Sequence, residues 1–290
     1  MLSILVPLYN EEGAIKKTLS DLTSTGDESR IEYEIIVIND GSRDKSESAV
    51  RSFQRVRLLT HRRNQGYGAA LKTGLRHAKG EWIAIIDSDG TYRPVDLFRL
   101  YRLAEERELD MMVGDRTGYR NSIPWYRRPG KVVIYWLAAF LVWQKVPDIN
   151  SGLRVFKKSM AEKFMHLYPQ GFSFTVTITL AALTSNYLVE WDPIRYDKRI
   201  GKSTMNFWRG LFHTFPNFIA LVIRIVTYFK PLRFFMIPAL LFFLVGVGNL
   251  VRTLVYESNI SDASLLLLMV ATQVGLMGLI ADVVVKSRSR

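Results

Sequence analysis

Cysteine is absent from the 290 residues, which excludes disulfides, thiolate metal sites and a thiol nucleophile. Internal repeats and low-complexity tracts are missing too, so nothing points to a solenoid or a long linker. Residues 1–9 turn polar too soon to read as a secretory signal. Charge itself is missing from two stretches, residues 234–251 and 263–281. Each is about long enough to cross a hydrocarbon core of roughly 30 Å as a helix, and two membrane spans are expected. A soluble core helix of that length usually carries polar residues.

Acidic residues are scarce where basic ones crowd. The net charge is +12, and residues 195–233 hold eight Lys or Arg against Asp197 alone. That basic stretch precedes the first span, Lys286, Arg288 and Arg290 follow the second, and residues 257–264 between them have neither Lys nor Arg. By the positive-inside rule, the large N-terminal part and the C-terminus face the cytoplasm. Arg252, at the outer end of the first span, is expected to snorkel to the interface. Basic residues abutting a span suit anionic lipid heads better than nucleic acid.

What is present before residue 200 alternates between short apolar runs and helical patterns. Strands are expected over 2–7, 34–38, 56–60, 82–86, 110–114, 153–156 and 188–194. Helices are expected from 10–12 onward, over 44–53, 67–78 and 132–143, and from Pro94, which suits a first helical turn. Residues 174–183 read as a buried helix or strand. This is the order of an α/β fold with a mostly parallel sheet covered on both faces. Residues 206–229 mix aromatic, apolar and basic side chains near helical spacing, with Pro216 as a break. They read as amphipathic helices in the membrane interface. The expected organisation is therefore 1–203, a cytoplasmic α/β domain, then 204–232, juxtamembrane helices, then 233–290, a membrane hairpin with a basic tail.

Two acidic signatures end two of the apolar runs: Asn39-Asp40-Gly41-Ser42 and Asp87-Ser88-Asp89-Gly90. The C-terminal ends of parallel strands are where open α/β sheets bind ligands. Asp87 and Asp89 suit a hard cation, Mg²⁺ or Mn²⁺, bridging a diphosphate with few protein carboxylates. Asp40 suits the base or ribose of a nucleotide, and Gly41 lets the chain turn sharply. Asn64-Gln65-Gly66-Tyr67-Gly68 half resembles a dinucleotide fingerprint, but Leu71 stands at the third glycine and the motif follows the wrong strand. Gly201-Lys202-Ser203-Thr204 resembles the end of a phosphate loop, with Tyr196 where its partner glycine belongs. Arg116, Arg127, Arg128 and Arg154 offer forked contacts to phosphates. A basic surface explains Arg127 and Arg128 equally well, and Asp148, before Ser151-Gly152, reads equally as a turn residue.

Taken together, Val6-Pro7-Leu8-Tyr9-Asn10-Glu11-Glu12, the two acidic signatures, Asn64 to Gly68, Gly114-Asp115-Arg116, Asp148 through Arg154 and Arg199-Ile200-Gly201-Lys202-Ser203 resemble glycosyltransferase family 2. Within it they are similar to the polyprenyl-phosphate sugar synthases of the dolichyl-phosphate mannose synthase type, in the subgroup with a C-terminal hairpin. The resemblance implies a GT-A (Rossmann-like) fold and inverting, metal-dependent transfer from a UDP- or GDP-sugar to undecaprenyl or dolichyl phosphate. It implies that Pro7, Tyr9, Glu11 and Asp40, with Asp87, bind the nucleotide, and that Asp87 and Asp89 hold Mg²⁺ or Mn²⁺. Thr91 stands where many relatives have Gln, so no third side-chain ligand is expected. Asp148, Asp89 and Arg116 would act in catalysis, and Arg128, Arg154, Arg199 and Lys202 would meet the acceptor phosphate. Gly246, Gly248, Gly275 and Gly278 offer surfaces for self-association, and some such enzymes pass their product to a separate flippase. A processive polysaccharide synthase is disfavoured, because no Arg-Trp dipeptide occurs. Transfer to another lipid, or a non-catalytic nucleotide-binding membrane scaffold, are the alternatives.

Overall fold

The computed structural model describes residues 1–118, 146–171, 173–200 and 227–288, in two compact units, Met1–Phe218 and Ile219–Arg290. The expected helix over 132–143, the residues Arg127, Arg128 and Lys202, and most of the proposed interfacial helices lie outside the described residues.

The first unit is built on a seven-stranded sheet. Its strands are β1 (Leu2–Leu8), β2 (Tyr33–Asn39), β3 (Val56–Thr60), β4 (Trp82–Ile85), β5 (Met111–Asp115), β6 (Arg154–Lys157) and β7 (Val189–Pro193). They lie in the order β3-β2-β1-β4-β6-β5-β7. All run parallel except β6, which is antiparallel to both β4 and β5. β1 is buried along its whole length, as expected for an unbroken apolar run in a central parallel strand. On one face Ile4, Val6 and Leu8 pack with α1 (Ile15–Ser29) and with α4 (Pro94–Glu106) in a single apolar cluster. On the other face lies α3 (Tyr67–His77), drawn close by Gly74, where a Cβ would stand 2.8 Å from Ile38 Cδ1.

The chain adds β2 and β3 on one side of β1 and then returns to add β4 on the other. The crevice beyond β1 and β4 is thus the point where the winding reverses, the usual ligand site of such sheets. Reversing β6 brings the loop before it, residues 148–153, to this same edge.

Three local expectations change. The first helix starts at Ile15 rather than at residues 10–12. Asn10 adopts φ 54°, and the Glu11 and Glu12 N–H groups donate to Ser46 Oγ and Asp44 Oδ2, so these residues form a loop tied to the next strand end. The helix expected over 44–53 shortens to α2 (Ser46–Arg51), because the Asp44 carboxylate accepts from Ser46 N–H and holds the preceding turn. Residues 174–183 prove helical, within α6 (Phe174–Thr184), which follows the short α5 (Lys158–Lys163). Its β-branched residues are accommodated because Thr177, Thr179 and Thr184 return their hydroxyls to carbonyls four residues back.

The second unit holds α7 (Pro231–Tyr256) and α8 (Asp262–Arg288), both long and apolar enough to cross a membrane. They form an antiparallel hairpin in which Gly246 meets Leu267 and Leu268, Ala239 faces Gly275, and Gly278 packs on Phe235. Asn249 Nδ2 donates to Ser264 Oγ at 2.9 Å, which removes one polar pair from the apolar surroundings. Leu240, Leu241, Phe243, Leu266, Met269 and Ile280 point outward. Outward-facing apolar chains on a pair this long are what a lipid environment stabilises.

Candidate active site

The end of β2 delivers Asp40 into a buried position. Its carboxylate accepts from Gln65 N–H at 2.9 Å and Gly66 N–H at 2.7 Å, and it lies 2.8 Å from His61 Nδ1. Gly41 turns the chain at φ 69°, where a Cβ would stand 2.7 Å from the Arg63 backbone. Asp40 therefore pins the 61–66 loop. His61, which the sequence pattern did not single out, belongs to this network and also reaches Thr73 Oγ1 at 2.9 Å. Pro7 is buried at the end of β1 and Tyr9 is half-buried just beyond it.

The glycine-rich segment opens α3 but leaves little room for an anion. Gly68 N–H donates to Gly171 O at 3.0 Å and Ala69 N–H to Gln170 O at 2.8 Å. A Cβ on Gly68 would fall 2.1 Å from Pro169 O. The glycine serves close approach of a carbonyl loop, and that loop caps amides which a dinucleotide phosphate would otherwise use.

Asp87 and Asp89 follow β4. Asp87 Oδ1 accepts from Tyr67 Oη at 3.0 Å, and Oδ2 lies against Gly152, where a Cβ would come within 2.3 Å. Protein packed around the carboxylate, and next the charge of Asp89, push Asp87 up to about 6 from its ordinary 3.8. Asp89 Oδ1 accepts from Thr91 N–H at 3.1 Å and Thr91 Oγ1 at 2.6 Å. Thr91 thus orients the second carboxylate.

Guanidinium groups surround this pair. Arg199 donates to Glu11 Oε1, and its Nε lies 3.7 Å from Asp89 Oδ2. Burial pushes the Glu11 carboxyl up, and Arg199 works against that rise. Arg116 grips Asp148 with both prongs, Nε to Oδ2 at 2.7 Å and Nη2 to Oδ1 at 3.0 Å. Burial alone would raise Asp148, but the Arg116 guanidinium overrides it and holds the carboxyl below its ordinary range. Tyr92 Oη accepts from Gly152 N–H at 2.8 Å and from Arg116 Nη1 at 3.2 Å, linking the two clusters. Glu11, Asp87, Asp89, Arg116, Asp148 and Arg199 are therefore gathered at one sheet edge.

Arg154 departs from its expected role. It is fully buried, and its guanidinium donates to Ser151 O, Thr175 O and Thr179 Oγ1. It ties β6 to α6 and supports the 148–152 loop, with no exposed face for an acceptor phosphate. Its need for local acceptors follows from burial, which lowers its affinity for the proton to a value of about 10.

Residues 3–165 match the family described as Glycosyl transferase family 2, and residues 230–286 match the GtrB C-terminal hairpin. The chain belongs to glycosyl transferase family 2. Among curated relatives, it is 28% identical over 171 residues to the undecaprenyl-phosphate 4-deoxy-4-formamido-L-arabinose transferase of Edwardsiella ictaluri, covering 57% of this chain and 52% of that one. It is 26% identical over 231 residues to the dolichyl-phosphate beta-glucosyltransferase of Drosophila melanogaster, covering 72% and 71%. The match to the first relative thus spans about half of its length. Among solved structures, glucosyl-3-phosphoglycerate synthase from Mycobacterium tuberculosis, in complex with Mn²⁺, UDP-glucose and phosphoglyceric acid, superposes with a TM-score of 0.60. That alignment has 17% identity and covers 78% of this chain and 79% of that one, which establishes the shared GT-A-like fold.

Proposed function

We propose that this family 2 protein transfers a sugar from a nucleoside diphosphate sugar to a polyprenyl phosphate at the membrane surface. One observation carries the reading. The Asp87–Asp89 pair sits at the winding reversal of the sheet, flanked by Arg199 and by the Arg116–Asp148 pair, in a chain that ends in an apolar hairpin. The names of the relatives support a polyprenyl-phosphate acceptor, and the basic flanks of the hairpin support a cytoplasmic site.

Asp87 and Asp89 fit a divalent cation. Both are hard oxygen donors, and Asp87, raised first by burial and then by the charge of Asp89, is a carboxylate that a cation would help to ionise. Among the described residues no cluster of three ligating side chains exists, so diphosphate and water would complete the coordination. When bound, Mg²⁺ or Mn²⁺ supplies positive charge against the diphosphate.

The remaining work falls to the chain. An acceptor phosphate oxygen is already ionised near neutral pH, so it needs placement behind the anomeric carbon and no strong base. Its bond to that carbon forms as the bond to the diphosphate oxygen breaks, with inversion, and the nucleoside diphosphate leaves with the electron pair. Arg199 and Arg116 stabilise the phosphate charge. Asp148, held ionised and bidentate by Arg116, orients that guanidinium; both its oxygens are engaged, so it is a positioning residue.

The test is transfer itself. Lipid-reconstituted protein with Mg²⁺ or Mn²⁺, polyprenyl phosphate and labelled UDP- and GDP-sugars should carry label into the organic phase with one donor. Asp89→Asn should abolish this while leaving the fold intact. Nucleotide binding without transfer from any donor would refute the lipid-phosphate acceptor.

A further inference from the structure

Residues 194–200 cross the site as a strap whose backbone is fastened to the loops beneath it. Ile194 N–H donates to Asp115 O at 3.0 Å, Asp197 N–H to Thr91 O at 2.9 Å and Ile200 N–H to Asp89 O at 3.1 Å. Tyr196 forms an antiparallel bridge with Tyr92, and Asp197 pairs with Arg93 Nε at 2.8 Å. Gly90, at φ 75°, lets Ile200 settle over the loop, since a Cβ there would stand 3.0 Å from Ile200 Cδ1. This backbone lattice carries Arg199 onto Glu11 and Asp89.

Glu11 is buried, and the family resemblance implies a nucleotide contact for it, yet here it faces Arg199. Asp89 Oδ2, the oxygen that Thr91 leaves open, is the one that Arg199 approaches. A divalent cation on Asp89 would meet the guanidinium at short range, and two positive charges cannot share one carboxylate oxygen without repulsion. A diphosphate beside that cation offers the guanidinium a better partner.

We propose that Arg199 couples cation and diphosphate binding, yielding Asp89 to the cation only as it passes to the diphosphate, with Glu11 as its parking partner. This rests on the proposed donor and metal site and adds an order to it. The cation alone must compete with Arg199, whereas cation and nucleotide together exchange partners with it. Thermodynamic linkage makes the effect reciprocal, so the nucleotide strengthens cation binding by the factor by which the cation strengthens nucleotide binding.

The experiment is a Mn²⁺ titration followed by electron paramagnetic resonance on the full-length protein in detergent, with no added nucleotide and with saturating UDP or GDP. Removing an ion pair that is one-third exposed on the Arg199 side should release roughly up to fivefold in affinity. Arg199→Gln should therefore bind Mn²⁺ alone more tightly than the parent, by up to about fivefold, and the enhancement by UDP or GDP should shrink. Glu11→Gln keeps the Arg199 charge but removes its other carboxylate, leaving it to Asp89, so it should shift Mn²⁺ binding the opposite way, toward weaker. Unchanged or weaker Mn²⁺ binding in Arg199→Gln, or tighter binding in Glu11→Gln, with unfolding temperatures like the parent's, would overturn the coupling and leave the proposed activity standing. Absence of Mn²⁺ binding in the parent, with and without nucleotide, would remove the cation from the site and this proposal with it.

Discussion

Replacing Gly152 with alanine tests how tightly the carboxylate pair is held. The added Cβ would fall 2.3 Å from Asp87 Oδ2 and 2.9 Å from its Cγ, so the carboxylate or the 148–152 loop must give by about 1 Å to restore ordinary contact. Neither moves freely. Asp87 Oδ1 is held by Tyr67 Oη at 3.0 Å, and Gly152 N–H is held by Tyr92 Oη at 2.8 Å. A misplacement of about 1 Å costs on the order of 100-fold in rate, about 2.7 kcal/mol of transition-state stabilisation. Overpacking should also lower stability by about 1–3 kcal/mol, which leaves most of the protein folded if its stability is ordinary. The assay is kcat/KM for label transfer into the organic phase, paired with thermal unfolding to separate misplacement from loss of fold. A variant with parental kcat/KM would refute the claim that Gly152 exists to make room for Asp87.

Asp148→Asn should lower transfer about 100-fold, because Arg116 loses its ionic partner, while the remaining activity keeps the parent's pH profile; a profile that loses a basic limb would instead identify Asp148 as a base. Asp87, raised to about 6, gives opposite signs for activity and stability. At sub-saturating Mn²⁺, transfer should fall as pH drops through about 6, and added Mn²⁺ should move that limb to lower pH. The native state holds the Asp87 proton more tightly than the unfolded chain, so its contribution to stability is present below the ordinary 3.8 and is lost as pH rises through about 6. Denaturant titrations of the parent and Asp87→Asn across that window measure this term. Arg154→Leu should lower stability by about 3 kcal/mol or more by leaving buried carbonyls without donors, and acceptor KM in whatever protein folds should stay near the parent's.

The features legible in the sequence were those set by local pattern. Buried apolar runs announced β1, β2 and β4, and acids at the ends of β2 and β4 announced the crevice, because strand pattern and strand-end placement are short-range properties. The two uncharged stretches announced α7 and α8 for the same reason. What the sequence hid depends on long-range partners. Glu11 and Arg199 are 188 positions apart, and nothing near either one says that they meet. Arg154 read as a phosphate ligand because a guanidinium can make forked contacts to phosphate; only its long-range partners on α6 show that its donors are spent on a carbonyl and a hydroxyl. His61 carried no pattern at all, since its importance comes from lying beside Asp40. The early helix start failed because Ser46 and Asp44, more than thirty residues away, claim the Glu11 and Glu12 amides.

The reversal of β6 has a corollary for the connection before it. β5 ends and β6 begins at the same border of the sheet, paired through Val113 and Arg154, so the chain from 116 to 153 departs and re-enters at one place. A connection whose two ends share one border can change in length without moving either strand, and doubling a flexible loop costs only about 0.6 kcal/mol in closure entropy. Asp148 and Arg116 stand at its two ends, as fixed gateposts. Changes of length between them leave the pairing of β1, β2 and β4 untouched.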